Sequence, residues 1–404
     1  MKRTLEQILT MAGGLCMDNA PPSLVVQGVS TDSRTLVPGN LFIPLVGKNV
    51  DGHQFAEEAR QKGAIAALWQ EGHPLEPPRG FPVIRVDDTL QALQRLALAY
   101  RSQLNVRVIA VTGSNGKTTT KDMIASILAT TYRVHKTQGN LNNHIGLPLT
   151  LLSMDEQTEM AVIEMGMSGR GEIALLSRLA LPECAVVTNI GESHLLQLGS
   201  REEIARAKVE ILGGLSEGGL FVYNGDEPLI EQAVMEPSTP KPSEWLRYRF
   251  GFGSDNDIYP LIIMMESTGT TFKTNLPGSG HYRIPMLGRH NVVNALAAVA
   301  VCKYMGVQDA DIAEGFRNLQ PTGMRIERIT TPSGITILND AYNASPTSMK
   351  AAIELLQELP GYNRKLAVLG DMLELGPEEV KFHQEIGQLA AASGIHKLFA
   401  YGPL

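Results

Sequence analysis

The stretch Val108-Ile-Ala-Val-Thr-Gly-Ser-Asn-Gly-Lys-Thr-Thr-Thr120 joins an apolar run, a glycine-containing turn and the start of a helical pattern. Residues 106–111 are mostly branched and apolar, which indicates a buried strand, and residues 118–129 carry apolar side chains at helical spacing. Backbone N–H groups at the start of a helix can surround phosphate oxygens, a lysine adds positive charge, and a threonine hydroxyl can hold Mg²⁺. The stretch therefore predicts a phosphate-binding loop made of Gly113, Ser114, Asn115, Gly116, Lys117, Thr118 and Thr119.

This loop is shorter than a standard Walker loop. The position five residues before Gly116, where the standard loop has its outer glycine, is Val111, so the loop reads Thr-Gly-x-x-Gly-Lys-Thr. A glycine turn without any nucleotide role is the simplest alternative. The strand before the turn, the helix after it and the Gly-Lys-Thr sequence together favour nucleotide binding.

The composition is that of an ordinary globular protein. The 404 residues are enough for two or three domains, and 43% of them are hydrophobic and 19% charged. Apolar runs such as residues 261–265 are too short to span a bilayer, and charges at Lys2, Arg3 and Glu6 interrupt the N-terminus, which disfavours a secretory signal. We therefore expect a cytoplasmic protein that does not insert into membranes.

The cysteine content and the net charge disfavour a disulfide-rich protein, a metal-knuckle protein and a nucleic-acid-binding protein. Cys16, Cys184 and Cys302 lie far apart, so their spacing fits neither a metal knuckle nor a disulfide framework. The net charge of −7 disfavours non-specific attraction to nucleic acid, although a local basic cleft for a small anion remains compatible with it. We do not expect nucleic acid as a partner.

Strand and helix patterns alternate along most of the chain, and they predict an α/β fold of three domains at residues 1–102, 103–320 and 321–404. The first is a small α/β domain, and the second is a mostly parallel sheet covered by helices on both faces. Ligands of such sheets bind beyond the carboxyl ends of the strands. The central strands are expected at residues 106–111, 160–164, 185–188 and 220–223.

The pattern changes after residue 245. Runs of β character at residues 247–252, 258–265 and 270–275 predict an antiparallel appendage to the central domain. The last domain is expected to be Rossmann-like, with a hairpin, a helix and parallel strands. Because the chain stops directly after a strand at residues 397–401, we expect this domain to be C-terminally incomplete.

Two polar residues follow central strands and are candidates for metal binding. Glu164 ends an apolar strand close to the expected loop, and a nucleotide loop needs a nearby carboxylate to complete the oxygen ligands of Mg²⁺. His194 follows the next strand. For both residues a solvent-exposed role is the alternative, and for the histidine the spacing alone favours that alternative.

Lys208 lies on an apolar stripe. Ser200-Arg-Glu-Glu203 resembles a capping box, and the helix after it would place Ile204, Lys208, Ile211, Leu212 and Leu215 on one face. Burial of a lysine disfavours its charged form and makes the amine reactive towards CO₂, which would give an anionic carbamate able to bind a metal. The other interpretation is a side chain that reaches the edge of the helix and leaves its amine in water.

Further polar residues give weaker signals. Asn291 precedes a long helix and is as compatible with an N-cap as with a nucleotide contact, and Asp340 and Asn343 lie in a turn between a strand and a helix. In the first domain an anion is a candidate ligand for three basic residues that follow strands: Arg34, Lys48 and His53.

Taken together, these residues resemble the Mur ligases of peptidoglycan synthesis, and the resemblance runs from Asp32 to the end of the chain. Within the family the typical segments are Lys136-Thr-Gln-Gly-Asn-Leu-Asn-Asn-His-Ile-Gly-Leu-Pro148, Glu164-Met-Gly-Met167 and Gly370-Asp-Met-Leu-Glu-Leu-Gly376. The resemblance implies a cytoplasmic, monomeric, ATP-dependent enzyme of cell wall synthesis, cell shape and cell division. Its expected substrates are UDP-N-acetylmuramoyl-tripeptide and D-alanyl-D-alanine, and its expected cofactor is Mg²⁺, as one or two ions.

The resemblance also assigns roles to residues. It implies that Lys117, His194 and Lys208 are catalytic, with Thr118, Glu164, His194 and Lys208, the last as a carbamate, around the metal. It implies ATP contacts from Asn291, Arg325, Asp340 and Asn343, with Tyr342 near the base or ribose. The implied substrate contacts are Ser33, Arg34, Lys48, Asp51, His53, Asn140, Asn142 and Asn143.

Two other functions stay open at this stage. A folate-polyglutamylating ligase would share the loop and the chemistry, but it should lack a UDP-binding domain. A nucleotide-binding switch or a transport ATPase module would hold nucleotide without consuming an amino-acid substrate. Binding of a UDP-sugar distinguishes the first alternative, and turnover of an amine distinguishes the second.

Members of the family that this sequence resembles also continue beyond the position of residue 404, with a Lys-Gly-Ser-Arg element that this sequence does not contain.

Overall fold

The structure is a computed structural model that describes residues 1–19 and 21–404. Its strands are, in chain order, β1 (Lys2–Thr4), β2 (Cys16–Asp18), β3 (Val25–Gln27), β4 (Val29–Ser30), β5 (Leu41–Phe42), β6 (Ala66–Gln70), β7 (Val83–Val86), β8 (Arg107–Thr112), β9 (Val134–Lys136), β10 (Met160–Glu164), β11 (Cys184–Val187), β12 (Leu220–Asn224), β13 (Leu246–Phe250), β14 (Pro260–Glu266), β15 (Gly269–Thr274), β16 (His281–Ile284), β17 (Glu327–Thr330), β18 (Thr336–Asn339), β19 (Leu366–Gly370) and β20 (Lys397–Tyr401).

The α-helices are α1 (Leu5–Ala12), α2 (Ala56–Gln61), α3 (Thr89–Gln103), α4 (Lys117–Leu128), α5 (Gly146–Leu152), α6 (Glu172–Ala180), α7 (Leu195–Leu198), α8 (Arg201–Val209), α9 (Pro228–Met235), α10 (Arg289–Tyr304), α11 (Asp309–Arg317), α12 (Pro346–Glu358) and α13 (Glu379–Ala392). Short 3-10 turns span Gly52–Phe55, Glu210–Gly214 and Gly376–Glu378. Among the described residues, no helix has both the length and the apolar character needed to cross a membrane.

The chain forms two compact units, Met1–Arg107 with Thr137–Glu159 and Val108–Lys136 with Met160–Leu404. The first unit contains a five-stranded sheet of order β2-β7-β6-β5-β4, in which only β2 runs antiparallel to its neighbour. The three-domain division at residues 102 and 320 stays a proposal.

The second unit is built on a six-stranded sheet of order β13-β12-β11-β8-β10-β9. The chain leaves β8 for one edge of the sheet, through β9 and β10, and then crosses to the other edge through β11, β12 and β13. Ligands of open α/β sheets bind at such a reversal of strand order, beyond the carboxyl ends of the strands. The phosphate-loop sequence follows β8 and therefore lies at this point.

The apolar pattern of the central sequence explains why these elements pack as they do. Ile109 and Val111 of β8, Met123 and Ile127 of α4 and Leu296 of α10 belong to one buried core. The continuous apolar run of β8 is expected of a strand that is covered on both faces. The four predicted central strands, which correspond to β8, β10, β11 and β12, and the helix after the loop agree with the structure to within one residue, whereas β9 was not predicted.

One part of the predicted appendage is wrong. The run at residues 247–252 was assigned to it, but β13 (Leu246–Phe250) pairs in parallel with β12 as the edge strand of the central sheet. Edge strands are exposed on one face and show the same alternation as antiparallel strands, so the sequence pattern alone could not separate the two cases. The antiparallel appendage itself exists and has the order β14-β15-β16.

The C-terminal residues of the second unit form the predicted hairpin of β17 and β18, then α12, and a parallel pair of β19 and β20. Ser345 caps α12 and Pro346 occupies its first turn, as expected of a helix start. The predicted α/β class of these residues is therefore confirmed.

Candidate active site at the phosphate loop

The turn between β8 and α4 requires glycine at two positions. Gly113 has a φ of 148°, and a Cβ there would lie 1.8 Å from the Thr188 hydroxyl. Gly116 has a φ of 80°, and a Cβ there would lie 2.4 Å from Oδ1 of Asn294. The loop is therefore pressed against the start of α10 and the end of β11, where a side chain would not fit.

Hydrogen bonds to the end of β11 hold the loop. The N–H of Ser114 donates to the Asn189 carbonyl at 3.0 Å, and the N–H of Asn115 donates to Asn189 Oδ1 at 2.9 Å. The Thr188 hydroxyl donates to the Asn115 carbonyl at 2.5 Å. The backbone of the loop is thus ordered by the protein itself, and Thr119 is buried in the first turn of α4.

Several buried polar atoms around this loop have no hydrogen-bond partner. They are Ser114 Oγ, Asn115 Nδ2, Ser193 Oγ and Arg325 Nε, and a further one, Thr120 Oγ1, lies in α4. Nearly all buried polar groups in proteins are paired, so a group of unpaired ones indicates a place for a polar ligand or for water.

Glu164 ends β10 and is only 2% exposed. Its carboxylate accepts a hydrogen bond of 2.9 Å from the hydroxyl of Thr118, the second residue of α4. The predicted carboxylate and the predicted threonine therefore lie side by side. Oxygen ligands of this kind suit Mg²⁺.

Basic side chains crowd the same place and lower each other's pKa. Burial lowers the pKa of Lys117, and Arg325 lowers it further, whereas Glu164 acts in the opposite direction. Burial, and then the charge of Lys117, hold the pKa of Lys208 well below its ordinary value. For His194 burial again lowers the pKa most, with smaller contributions in the same direction from Lys208 and Lys117. Three basic groups with lowered pKa values, gathered near Arg325, indicate a site for an anion.

Lys208 is buried, as the interpretation of this residue as a carbamate requires. It lies at the end of α8, 2% exposed, and α8 starts at the predicted cap, where Ser200 accepts from the N–H of Glu203. The predicted helical stripe is too long, because the α-helix ends at Val209 and a 3-10 turn continues to Gly214. The alternative in which the amine reaches water is wrong for this structure.

His194 is held from the C-terminal part of the unit. Its Nδ1 lies 2.7 Å from Oε2 of Glu374, and the N–H of Leu196 donates to the Glu374 carbonyl at 2.9 Å. His194 and Glu374 have φ values of 66° and 62°, a left-handed conformation that costs energy in residues other than glycine. With Nδ1 occupied, Nε2 is the ring nitrogen that remains for a metal. Glu374 was not predicted as a site residue, although it lies in residues 370–376, one of the segments that resemble the family.

The predicted ATP contacts of the C-terminal part also gather here. The guanidinium of Arg325 lies 4.1 Å from the ring centroid of Tyr342, and Oδ1 of Asp340 accepts from the N–H of Ile326 at 3.2 Å. Burial raises the pKa of Asp340 to about 6. Asn343 is exposed, and its side chain accepts the N–H of Ala344.

Asn291 is not an N-cap. Helix α10 begins at Arg289, and Asn291 lies within its first turn, 2% exposed, with Nδ2 donating to the Leu287 carbonyl at 2.8 Å. Asn294 donates to Oδ1 of Asn291 at 3.2 Å and approaches Gly116. The sequence analysis missed Asn294; an asparagine one turn after Asn291 on an otherwise apolar helix was the signal for it.

In the first unit, the candidate anion-binding residues differ in their solvent exposure and in their hydrogen bonds to other protein groups. Arg34 is exposed but turned onto Asp32, with hydrogen bonds of 3.0 and 2.8 Å to the two carboxylate oxygens, which lower the pKa of Asp32 to about 2. Ser33 is buried and Lys48 is exposed. Asn140, Asn142 and Asn143 lie in the part of the chain that joins the first unit, and Asn143 Oδ1 accepts from the first residues of α5.

His53 does not have a free ring nitrogen for an anion. Its Nδ1 lies 2.8 Å from Oδ1 of Asp51, and its Nε2 accepts from the N–H of Gln70 at 3.5 Å. His73 repeats the pattern, with Nε2 2.8 Å from Asp51 Oδ2 and Nδ1 accepting from the N–H of Leu75 at 3.2 Å. The predicted direct contact of His53 with an anion is not supported, because its side chain is buried and fully engaged.

These three side chains are the cluster of the described residues whose ligand atoms lie close enough for a metal, within 4.8 Å of one another. The hydrogen bonds argue against that use. A metal on the nitrogens that face Asp51 would force the protons onto the nitrogens that accept from backbone N–H groups, and both bonds would be lost. We therefore interpret the cluster as a structural network.

The phosphate-loop site, in contrast, fits a nucleotide with Mg²⁺. Thr118 and Glu164 supply oxygen atoms, His194 supplies a nitrogen, and the unpaired polar atoms and basic side chains supply donors for phosphate. The fold and site define a nucleotide-binding α/β protein with groups suited to phosphoryl chemistry.

Comparisons with known proteins assign the chain more closely. Residues 25–101 match the model described as Mur ligase family, catalytic domain, residues 111–302 match the Mur ligase middle domain, and residues 324–404 match the Mur ligase, glutamate ligase domain. A UDP-N-acetylmuramoyl-tripeptide--D-alanyl-D-alanine ligase of Bacillus subtilis (strain 168) is 52% identical over 405 residues, which cover 100% of this chain and 86% of that protein.

Solved structures agree with these matches. The crystal structure of MurF from Acinetobacter baumannii has a TM-score of 0.87 at 32% identity and covers 99% of this chain and 90% of that one. MurF ligase from Thermotoga maritima in complex with ADP has a TM-score of 0.79 at 29% identity, over 93% of this chain and 88% of that one. The chain belongs to the Mur ligase family.

Proposed function

We propose that this protein joins D-alanyl-D-alanine to UDP-N-acetylmuramoyl-tripeptide with consumption of ATP, and so makes the UDP-linked pentapeptide of peptidoglycan synthesis. The relative with 52% identity carries this activity in its name. These comparisons favour the ligase over a folate-polyglutamylating enzyme and over a nucleotide-binding switch. The observation in the structure that supports it best is the set of basic side chains around unpaired polar atoms at the loop.

The reaction needs two anions, a carboxylate and a triphosphate, to meet. The terminal carboxylate of the tripeptide attacks the γ-phosphate of ATP, and ADP leaves with the electron pair of the broken P–O bond. The amine of D-alanyl-D-alanine then attacks the acyl phosphate, releases phosphate and loses a proton. Lys117 and Arg325 compensate the negative charge in both steps, which is the main contribution that a protein makes to phosphoryl transfer.

Each loop residue has a part in holding the nucleotide. The backbone N–H groups of residues 116–118 would face the phosphates at the start of α4, where the helix dipole also favours an anion. Asn291 and Asn294 support the loop from α10, and Arg325, Asp340, Tyr342 and Asn343 close over the nucleotide from the C-terminal part. The T. maritima relative was solved with ADP.

Thr118, Glu164 and His194 would hold Mg²⁺, which would neutralise phosphate charge. We further propose that Lys208 reacts with CO₂ to give a carbamate and a released proton. Its lowered pKa favours the neutral, nucleophilic form of the amine, and the carbamate would bring a negative charge that attracts Lys117. Incubation with ¹³CO₂ should give a carbamate carbon signal that is missing from Lys208→Arg.

The first unit would bind the UDP-linked substrate through Ser33, Arg34, Lys48, Asp51 and the asparagines at positions 140, 142 and 143, with His53 acting indirectly through Asp51. Binding of a UDP-sugar should therefore weaken in Arg34→Ala. A cytoplasmic location and a monomeric state remain proposals of the sequence analysis.

The test of the function is phosphate release by the purified protein. Release should require UDP-N-acetylmuramoyl-tripeptide and D-alanyl-D-alanine together, and the product should have the mass of the UDP-linked pentapeptide. Equal release of phosphate without either substrate would refute the ligase proposal.

A further inference from the structure

Asp122 is a buried carboxylate of α4 to which the reaction assigns no role. It lies five positions after Lys117 in the same helix and is 2% exposed. Its Oδ2 accepts a hydrogen bond of 2.6 Å from the hydroxyl of Thr322 and one of 3.2 Å from the N–H of Thr322. Its Oδ1 lies 2.7 Å from Nζ of Lys136. One side chain thus joins the phosphate-loop helix to β9 and to the segment before β17.

These contacts outweigh the cost of burying a charge. Burial acts to raise the pKa of Asp122, but Lys121, Lys136 and Thr322 together lower it below the ordinary value. A buried carboxylate is stable in its charged form only when cations and hydrogen-bond donors surround it in this way. Asp122 is therefore an anionic anchor.

The segment that it holds carries Arg325. Thr322 lies three residues before Arg325, and Met324 and Ile326 on either side of Arg325 have φ values of 58° and 54°. Such left-handed residues persist only where neighbouring contacts fix them. The contact of Thr322 with Asp122 fixes the first end, and the hydrogen bond from the Ile326 N–H to Asp340 fixes the second.

We propose that Asp122 is a positioning residue: it ties residues 322–326 to the phosphate-loop helix and thereby sets the reach of Arg325 towards the nucleotide phosphates. The inference rests on the proposed nucleotide role of Arg325. Asp122 acts on the nucleotide through this segment and through Arg325. Its loss should matter for nucleotide binding only while Arg325 is present.

A double-mutant cycle on ADP affinity tests this, with isothermal titration of MgADP into the full chain. Arg325→Ala should weaken binding about tenfold, as expected for loss of one charge-assisted contact. Asp122→Asn should weaken it by a similar factor, because an amide has one accepting oxygen where the carboxylate uses two, so that either Thr322 or Lys136 then faces an NH₂ group. The substitution should have no further effect in the Arg325→Ala background. If the two effects are independent, the ADP affinity of the double variant falls by the product of the two single-variant factors, and this result overturns the proposal.

Two further variants keep the test decisive. Thr322→Val removes one donor at an exposed position and should show a smaller effect that also disappears in the Arg325→Ala background. Asp309→Asn breaks an ion pair with Lys303 elsewhere in the same unit and serves as the matched control, with ADP affinity unchanged. If Arg325→Ala alone leaves ADP affinity intact, the premise from the proposed function fails and the inference falls with it.

Discussion

Two groups of buried ionisable side chains, one in each unit, have opposite properties. At the Asp51, His53 and His73 cluster every ring nitrogen has a partner, and the two imidazole rings stack at a centroid distance of 3.9 Å. At the phosphate loop, polar atoms are buried without partners and basic groups lower each other's pKa. The first arrangement is complete as it stands, whereas the second is complete only with an anion.

The difference separates the two histidine rings, whose nitrogens stabilise the fold, from the loop residues that serve a ligand. Both groups look alike in the sequence, since each combines histidines, carboxylates or lysines near strand ends. Only the hydrogen bonds distinguish them, because an unpaired buried group destabilises the protein until a ligand pairs it. Substitutions should therefore lower stability at the cluster and lower binding or activity at the loop.

The largest effect is expected at Lys117. Lys117→Ala removes the phosphate-loop lysine that compensates phosphate charge in the proposed reaction and should lower kcat/KM by about 10³-fold. Lys350→Ala, at an exposed ion pair of α12, is the control and should keep full activity. The phosphate-release assay measures both variants, and similar rates would contradict the claim that the loop residues serve a ligand.

A smaller loss is expected at Glu374. Glu374→Ala removes the carboxylate that engages Nδ1 of His194, and the Mg²⁺ concentration for half-maximal activity should rise about tenfold, as for other partners of metal-bound histidines. Glu378→Ala is the control, because it is near in sequence but pairs with Lys381.

The same variants can be compared without turnover. In ¹⁵N-histidine spectra the resonances of His194, assigned with His194→Gln, should shift in Glu374→Ala and stay in place in Glu378→Ala. Unchanged tautomer signals in both variants would show that Glu374 does not orient the ring.

At the cluster the expected loss is in stability. His53→Leu leaves Asp51 and the N–H of Gln70 with one partner fewer, which should lower the free energy of unfolding by about 1–3 kcal/mol. MgADP affinity at a temperature where the variant is folded should equal that of the parent protein. Weaker ADP binding with unchanged stability would reverse the assignment of this cluster.

The smallest effect is a dependence of stability on pH. Burial lowers the pKa of His53 below the ordinary 6.5, against the opposing effect of Asp51 and with a smaller contribution from His73 in the same direction, so the folded state binds fewer protons than the unfolded state. The contribution of His53 to folding stability is fully present above a pH of about 6.5, and it decreases as the pH falls towards the pKa of His53 in the folded state. The decrease in Tm between pH 7.5 and pH 5.5, roughly one unit on either side of the unfolded pKa, should be smaller for His53→Leu than for the parent. Equal decreases would exclude His53 as a source of the dependence.

Much of this site could be predicted from local sequence. Three features follow from a periodic apolar pattern that is interrupted by a polar residue: the loop between β8 and α4, the carboxylate at the end of β10 and the buried lysine of α8. The hydrogen bond between Thr118 and Glu164 brings two of these residues together, and the charge of Lys117 contributes to the lowered pKa of Lys208.

The residues that were missed depend on contacts between distant segments. Asp122 is separated from Thr322, and His194 from Glu374, by long stretches of chain, and no local pattern reports such pairs. The edge position of β13 was mistaken because an edge strand and an antiparallel strand expose alternate residues in the same way. His53 was assigned to a ligand because a sequence shows a histidine but not whether its nitrogens are engaged.

The central claim is that the loop site is held ready for an anion at a cost in stability, and Lys208 tests it most directly. The measurement is the Tm of the protein without nucleotide, in buffer freed of CO₂, for the parent, Lys208→Met and His53→Leu. The account predicts a higher Tm for Lys208→Met, because the change replaces a buried amine next to another cation by an apolar side chain of similar size, and a lower Tm for His53→Leu. A lower Tm for Lys208→Met as well would contradict the account, since Lys208 would then be part of a completed structural network like the one around Asp51.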